Sequence, residues 1–210
     1  MNKKVCLILA VVGVLVFVLG FFSVEVEEII EEKKAEEVME ADEMVPYEHL
    51  FRELAPTIDW EWETLAALAC VESRFNPHAK SPVGAKGIMQ LMDGTAHELG
   101  LNDTTVWIAE HNIRAGVRYL QYLQGKWNFI SNRAEQTKFV LASYNAGPGH
   151  IFSARRIVRD TGGNPYVWSE VEPYVQQQET RLYVKKVLGT GKKYKNESLR
   201  RQSDSPGNPE

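Results

Sequence analysis

One glutamate in this 210-residue sequence, Glu72, stands where a carboxyl group can serve as a proton donor. It falls at the C-terminal end of an apolar segment with helical periodicity, just before the sequence SRFNP at residues 73–77. The negative end of a helix dipole and an apolar environment both disfavour the ionised form, so both raise the pKa of a carboxyl group. A carboxyl group that stays protonated near neutral pH can act as a general acid. From its position alone, Glu72 is more simply interpreted as an exposed glutamate at a helix end.

Four short motifs follow one another around this glutamate: Glu-Ser at 72–73, Gly-Ile-Met-Gln at 87–90, Ser-Tyr-Asn at 143–145 and Glu-Thr-Arg-Leu-Tyr-Val at 179–184. Their order and spacing resemble the lytic transglycosylases related to soluble lytic transglycosylase and goose-type lysozyme. Residues 163–171 look most like the catalytic domain of the membrane-bound F type of that family. Each motif alone is a weak signal, whereas four in the family order are a strong one.

The resemblance implies a reaction on peptidoglycan. Members of that family cleave the β-1,4 bond between MurNAc and GlcNAc and leave a 1,6-anhydro-MurNAc end. Glu72 would be the catalytic residue, first as acid to the leaving oxygen and then as base to the C6 hydroxyl of the same sugar. One carboxylate suffices because that hydroxyl is already positioned to attack, whereas most glycosidases need two. No cofactor is implied.

The resemblance also implies a set of substrate-binding residues around the glutamate. They are Ser73, Ser81, Met89, Gln90, Tyr144, Asn145, Glu179 and Tyr183. By this resemblance Ser81 faces the reacting sugar and Met89 and Gln90 line the groove, with Gln90 as a partner for an N-acetyl group. Tyr144 and Asn145 hold the sugar. Tyr183 orients Glu72 or stabilises positive charge in the transition state, and Glu179 lies nearby.

Five of these residues also have a purely structural interpretation. Met89 is as readily a gap-filling core residue, and Tyr144 a core aromatic at a helix end. Asn145 fits a helix C-cap, and Ser73 can bond to its own helix. A glutamate such as Glu179 in a first helical turn favours the helix dipole.

Two positions depart from the family pattern. Ile88 stands for the usual Leu, and Ser143 replaces Ala before the Tyr-Asn pair. We expect the Ser143 hydroxyl to bond back to its own helix and to be tolerated there. Neither change removes a reacting group.

The elements that must position these residues are helical, so the fold class is mainly α. The resemblance implies that residues 46–195 form a lysozyme-like helical catalytic domain. Asp59 is expected to be the N-cap of the helix that carries Glu72, which should stop before Asn76 because Pro77 disfavours the helical conformation there. Further helices are predicted at about 94–99, 113–127, 134–144, from near 150, and at 177–194. No strand is expected.

The N-terminal residues 1–23 have the pattern of a signal anchor or signal peptide. Two lysines precede the uncharged stretch 5–22, whose length is at the short end of the roughly 17–25 residues that span a bilayer. The charge order places the remainder on the periplasmic side of the cell envelope. The segment either stays as an inner-membrane anchor or is removed after export. Residues 24–45 form an acidic spacer, and residues 196–210 are expected to be a disordered tail.

Composition excludes several other classes of protein. The two cysteines and five histidines show no ligand spacing, so no metal site is predicted. The net charge is −4, and although residues 155–159 hold three arginines, no nucleic-acid-binding motif accompanies them. The predicted partners are therefore peptidoglycan glycan strands and, through the N-terminal segment, a membrane.

Two alternative functions stay open. A hydrolase of the goose-type-lysozyme kind would need a second carboxylate, for which the candidates are Asp93, Glu98 and Glu179. A non-catalytic protein that binds peptidoglycan as a scaffold is disfavoured because both Glu72 and Gln90 are present.

Overall fold

The structure, a computed structural model, describes residues 44–204. The predicted anchor or signal peptide, all of the acidic spacer before residue 44, and residues 205–210 lie outside that range. Residues 47–204 belong to one compact unit. Among the described residues, no helix combines the length and the apolar character needed to cross a bilayer.

The described residues form α-helices joined by turns and short 3-10 segments. The α-helices are α1 (Glu48–Leu54), α2 (Trp62–Ser73), α3 (Asp93–Glu98), α4 (Ala109–Lys126), α5 (Arg133–Ala146), α6 (Pro148–Asp160), α7 (Trp168–Val171) and α8 (Gln178–Asp204). Between residues 44 and 204 the only extended pairing is two isolated antiparallel bridges, Lys80 with Lys86 and Lys86 with Leu91. The mainly α class predicted from the sequence is confirmed.

Helix α2 lies at the centre of the core. The sequence indicated one apolar face, but every residue from Leu65 to Ala69 is fully buried, so this stretch is enclosed on all sides. Gly191 lets α8 pack closely against α2, because a Cβ atom there would lie 3.3 Å from the Cα atom of Thr64. The helix that carries Glu72 is therefore fixed by its surroundings on every side.

The N-cap prediction for α2 is wrong. The helix begins at Trp62, and Glu61 is its N-cap without a capping side-chain hydrogen bond. Asp59 instead ends the preceding 3-10 segment Ala55–Ile58 in a left-handed conformation (φ 50°). Its carboxylate accepts a 2.6 Å hydrogen bond from Arg133. The Asp59 side chain is thus paired with a residue distant in sequence, which a local capping pattern does not reveal.

The C-terminal helix is longer than the sequence pattern indicated. Helix α8 runs to Asp204, so the prediction of a disordered tail is wrong for residues 196–204. This segment contains strong helix formers, and Glu197 precedes Arg201 at the favourable four-residue spacing. Ser198 is also buried, so tertiary packing adds to local propensity.

Candidate active site

Glu72 lies in the last turn of α2 and is hydrogen-bonded to Tyr183 of α8. The Tyr183 hydroxyl donates to Oε1 of Glu72 at 2.6 Å. Burial raises the pKa of Glu72 to about 7, and the hydrogen bond from Tyr183 acts in the opposite direction. The charge of Glu179 raises this pKa further, and that of Lys186 lowers it. The raised pKa expected from the sequence is therefore present, with burial as its main cause.

The backbone turns sharply directly after this carboxyl group. Arg74 (φ 55°) and Phe75 (φ 62°) are both left-handed, a conformation that costs a residue with a side chain roughly 1–2 kcal/mol. The Arg74 amide donates to the Cys70 carbonyl at 2.9 Å and so closes α2. The Phe75 ring packs against Phe51, with centroids 6.0 Å apart. Strain of this kind is concentrated at functional sites.

The loop after α2 is held by its own polar groups. Ser81 exchanges backbone and side-chain hydrogen bonds with Ala85: its amide donates to the Ala85 carbonyl at 2.9 Å, and its Oγ accepts from the Ala85 amide at 3.0 Å. Gln90, itself left-handed at φ 47°, donates from Nε2 to the carbonyls of Ala79 at 3.1 Å and Gly87 at 2.9 Å. The side-chain nitrogen of Gln90, the residue expected to bond an N-acetyl group, is thus engaged within the loop.

A buried asparagine of α4, missed by our sequence reasoning, fixes the same loop. Asn112 accepts from the Met89 amide at 2.7 Å and donates to the carbonyls of Val106 at 2.9 Å and Lys86 at 3.3 Å. These bonds satisfy both ends of a fully buried amide. In the sequence, the signal that could have indicated this role of Asn112 was a polar residue within an otherwise apolar helical pattern.

Met89 contributes to the site through its backbone. Its side chain is fully buried, so it does not line a groove as the resemblance implied. A Cβ atom at Gly116 would lie within 2.9 Å of three Met89 side-chain atoms, so the absence of a side chain there makes room for Met89. The Met89 carbonyl accepts a 2.7 Å hydrogen bond from the Tyr144 hydroxyl.

Tyr144 lies close to the glutamate. Burial raises its pKa well above the usual value, and the charges of Glu72 and Tyr119 raise it further. Tyr183 is likewise buried, and the charges of Glu72 and Tyr144 contribute to its raised pKa. One carboxyl group and two tyrosines, on α2, α5 and α8, therefore occupy one neighbourhood.

Two further predicted site residues lie where α5 meets α8, and a third lies beside Glu72. Asn145 is exposed and accepts a 2.7 Å hydrogen bond from the Thr180 hydroxyl. Glu179 is exposed in the first turn of α8, and its charge acts on Glu72. Ser73 bonds back to the Ala69 carbonyl at 3.4 Å, as its structural interpretation predicted.

Ser143 makes a different bond from the one we expected. The Trp127 indole nitrogen donates to its Oγ at 2.9 Å, and Ser143 is fully buried. The hydroxyl therefore satisfies a buried indole after the end of α4 instead of its own helix. An alanine at this position would leave that donor without this acceptor.

The other candidate carboxylates are placed differently from Glu179. Asp93 pairs with Lys86 at 2.7 Å, and Glu98 is exposed on α3. Within residues 44–204 no cluster of three or more potential metal ligands occurs. In this site Glu72 can donate a proton at neutral pH and accept one back. The Tyr183 hydroxyl can stay hydrogen-bonded to both the protonated and the ionised carboxyl group.

Comparisons with known proteins find a matching family and several similar chains. The family described as the Transglycosylase SLT domain matches residues 49–167. A membrane-bound lytic murein transglycosylase F from Yersinia pestis is 39% identical over 143 residues, which are 68% of this chain and 29% of that protein. The chain thus spans under a third of the length of this relative.

Solved structures of longer enzymes have a similar fold. The 70 kDa soluble lytic transglycosylase SLT70 of Escherichia coli is 32% identical to this chain, with a TM-score of 0.57. The match covers 70% of this chain and 23% of the SLT70 chain. An inactive glutamate-to-glutamine mutant of lytic transglycosylase Slt from Pseudomonas aeruginosa is 26% identical with a TM-score of 0.60, over 73% and 24%.

Proposed function

Since the chain belongs to the Transglycosylase SLT domain family, we propose that it is a peptidoglycan lytic transglycosylase. The observation that carries the proposal is a carboxyl group, Glu72, with a pKa of about 7 and a 2.6 Å hydrogen bond to Tyr183. Roughly half of such groups are protonated at neutral pH, which suits a residue that must act as acid and then as base. The substrate is the β-1,4 bond between MurNAc and GlcNAc.

The reaction needs one carboxyl group and no water. The Glu72 proton passes to the glycosidic oxygen as the bond from C1 to that oxygen breaks, and GlcNAc leaves with a free hydroxyl. The C6 oxygen of MurNAc then bonds to C1, and its proton returns to the Glu72 carboxylate. The products are a 1,6-anhydro-MurNAc end and an unchanged enzyme. Attack from within the same sugar avoids the entropy cost of recruiting water.

The residues around the carboxyl group orient it and the sugar. The Tyr183 hydroxyl can follow Glu72 through both protonation states, because it donates to the carboxylate and stays within hydrogen-bonding distance of the acid. Tyr144 fixes the Met89 carbonyl beside the site. Ser73, Ser81, Gln90, Asn145 and Glu179 remain proposed substrate-binding residues.

We place the protein in the cell envelope, on the periplasmic side. The relatives named membrane-bound lytic murein transglycosylases support this location. Residues 5–22 would anchor the protein in the inner membrane or direct its export before removal.

The test compares the full-length chain in mild detergent with its Glu72→Gln variant on purified sacculi. Products are separated and analysed by mass spectrometry, with the digestion run in ¹⁸O-labelled water. We expect anhydro-muropeptides, one water lighter than hydrolysis products and without the label, from the unaltered chain alone. The exposed Glu197→Gln change on α8 is the matched control and should leave activity unchanged.

Three results contradict the proposal. Labelled reducing MurNAc ends identify a hydrolase, and Glu179 becomes the first candidate for its second carboxylate because its charge acts on Glu72. Substantial turnover by a folded Glu72→Gln variant removes the assigned role of the glutamate. Binding to sacculi without cleavage by either form indicates a scaffold.

A further inference from the structure

Two stacked tyrosines and a lysine form a surface stripe along α4. Tyr119, Tyr122 and Lys126 follow at three- and four-residue spacing, which places them on one helix face. The two rings lie at 15° to each other with centroids 6.1 Å apart. The Lys126 amine lies 4.9 Å from the Tyr122 ring centroid. With 53% of its surface exposed, Tyr122 is open to a ligand.

The stripe begins at the active site. The Tyr119 ring lies 5.3 Å from the Tyr144 ring, measured between centroids. The Tyr144 hydroxyl donates a hydrogen bond to the Met89 carbonyl, and the charge of Glu72 contributes to the raised pKa of Tyr144. A row of neighbouring rings therefore leads from Tyr144, beside Glu72, through Tyr119 to the exposed Tyr122.

We propose that Tyr119 and Tyr122 form an outer platform for the glycan strand, beyond the sugars on which Glu72 acts. The inference rests on the proposed function and adds that the chain binds longer strands more tightly than short ones. Tyrosine suits this task because its flat ring offers contact area at a low cost in side-chain entropy.

The chemistry of the stripe matches this occupant. The apolar face of a pyranose ring packs against an aromatic ring, and the phenol hydroxyl can bond to a sugar hydroxyl. The lactyl group of MurNAc carries a carboxylate when no peptide is attached. The Lys126 ammonium at the outer end of the stripe complements that charge.

The experiment measures binding and does not depend on turnover. The full-length chain with Glu72→Gln is titrated with peptide-free glycan strands, as a tetrasaccharide and as strands at least twice that length. We expect Tyr122→Ala in this background to weaken binding of the longer strands about three- to tenfold, with little change for the tetrasaccharide. Tyr122→Phe keeps the ring and should restore most of the affinity.

A matched control is available at Tyr166. Its side chain is 47% exposed, but its ring contacts Phe129 and Arg155 instead of the stripe. Tyr166→Ala should bind both strand lengths like the parent protein.

Unchanged binding of long strands by Tyr122→Ala overturns the inference, as does an equal loss for both strand lengths. A chain that fails to cleave sacculi but loses affinity for long strands with Tyr122→Ala contradicts the proposed function and supports this inference.

Discussion

The hydroxyl of Tyr183 donates a 2.6 Å hydrogen bond to Oε1 of Glu72, joining residues 111 positions apart in the sequence. The bond opposes the effect of burial, which raises the pKa of the carboxyl group to about 7. The hydrogen bond from Tyr183 thus keeps the pKa of Glu72 below the value that burial alone would give, so the carboxyl group can still lose its proton. The balance between these two effects sets the pH range in which Glu72 can act as both acid and base.

Tyr183→Phe should therefore change both the rate and its pH dependence. Because the hydrogen bond stabilises the carboxylate, its loss raises the pKa of Glu72, and the high-pH decline of kcat/KM moves to higher pH. Loss of a bond to a charged group should lower kcat about 10- to 100-fold. The measurement is a pH–rate profile on sacculi.

Tyr194→Phe is the control for that experiment. Tyr194 lies on the same helix, but its hydroxyl interacts with Cys70 and not with Glu72. Its profile should match that of the unaltered chain. A profile for Tyr183→Phe that shifts to lower pH would contradict the assigned role of the hydrogen bond.

Glu72→Gln should stabilise the fold at alkaline pH. A carboxyl group whose pKa is about 7 in the folded protein and near 4.5 when unfolded binds more protons in the folded state between these values. Its contribution to stability is complete below pH 4.5 and is lost as pH rises through 7. The variant should gain at most about 3 kcal/mol in free energy of unfolding at pH 8.

Urea unfolding at two pH values measures this effect. At pH 8 Glu72→Gln should exceed the unaltered chain in free energy of unfolding, and at pH 4 the difference should nearly vanish. The exposed change Glu197→Gln should give no such dependence. A Glu72→Gln variant that is less stable at pH 8 would mean that the ionised carboxylate is favourable in the folded protein.

Glu179→Gln separates a modulating role from a catalytic one. The charge of Glu179 raises the pKa of Glu72, so its removal should lower that pKa and move the high-pH decline of kcat/KM to lower pH. Anhydro-muropeptides should remain the products. In a hydrolase that uses Glu179 as its second carboxylate, the same change would abolish turnover across the whole pH range.

Gly87→Ala should destabilise the loop that carries Met89. Gly87 has a left-handed conformation (φ +77°), and a Cβ atom there would lie 2.3 Å from Nδ2 of Asn112 and 2.8 Å from the Val106 carbonyl. Both conformational strain and a clash with the asparagine that bonds this loop oppose the alanine. We expect the free energy of unfolding to fall by roughly 3–4 kcal/mol, with a loss of activity.

Gly84→Ala isolates the conformational part of that effect. Gly84 is also left-handed (φ +93°), but nothing lies within 4 Å of the position that a Cβ atom would take there. Its alanine variant should lose only about 1–2 kcal/mol in urea unfolding. Equal losses in the two variants would show that the contact with Asn112 adds nothing.

The sequence determined the helical class, and its motifs singled out Glu72, Tyr144 and Tyr183, which the fold brings close together. Helical periodicity and turn residues placed α2 to α6 within a few residues, because these signals are local. The position of Glu72 before a helix-ending segment predicted a raised pKa from the helix dipole and apolar neighbours. Local patterns failed at Asp59, whose carboxylate pairs with Arg133, and at residues 196–204, which extend α8.

Only the tertiary structure decided how the site residues act. Met89 is turned into the core opposite Gly116, Gln90 bonds its own loop, and Ser143 bonds Trp127. The pKa of Glu72 depends on its burial and on Tyr183 and Glu179. Burial and side-chain geometry are properties of packing between helices that are distant in sequence. A local pattern can therefore name the carboxyl group, whereas the fold sets its proton affinity.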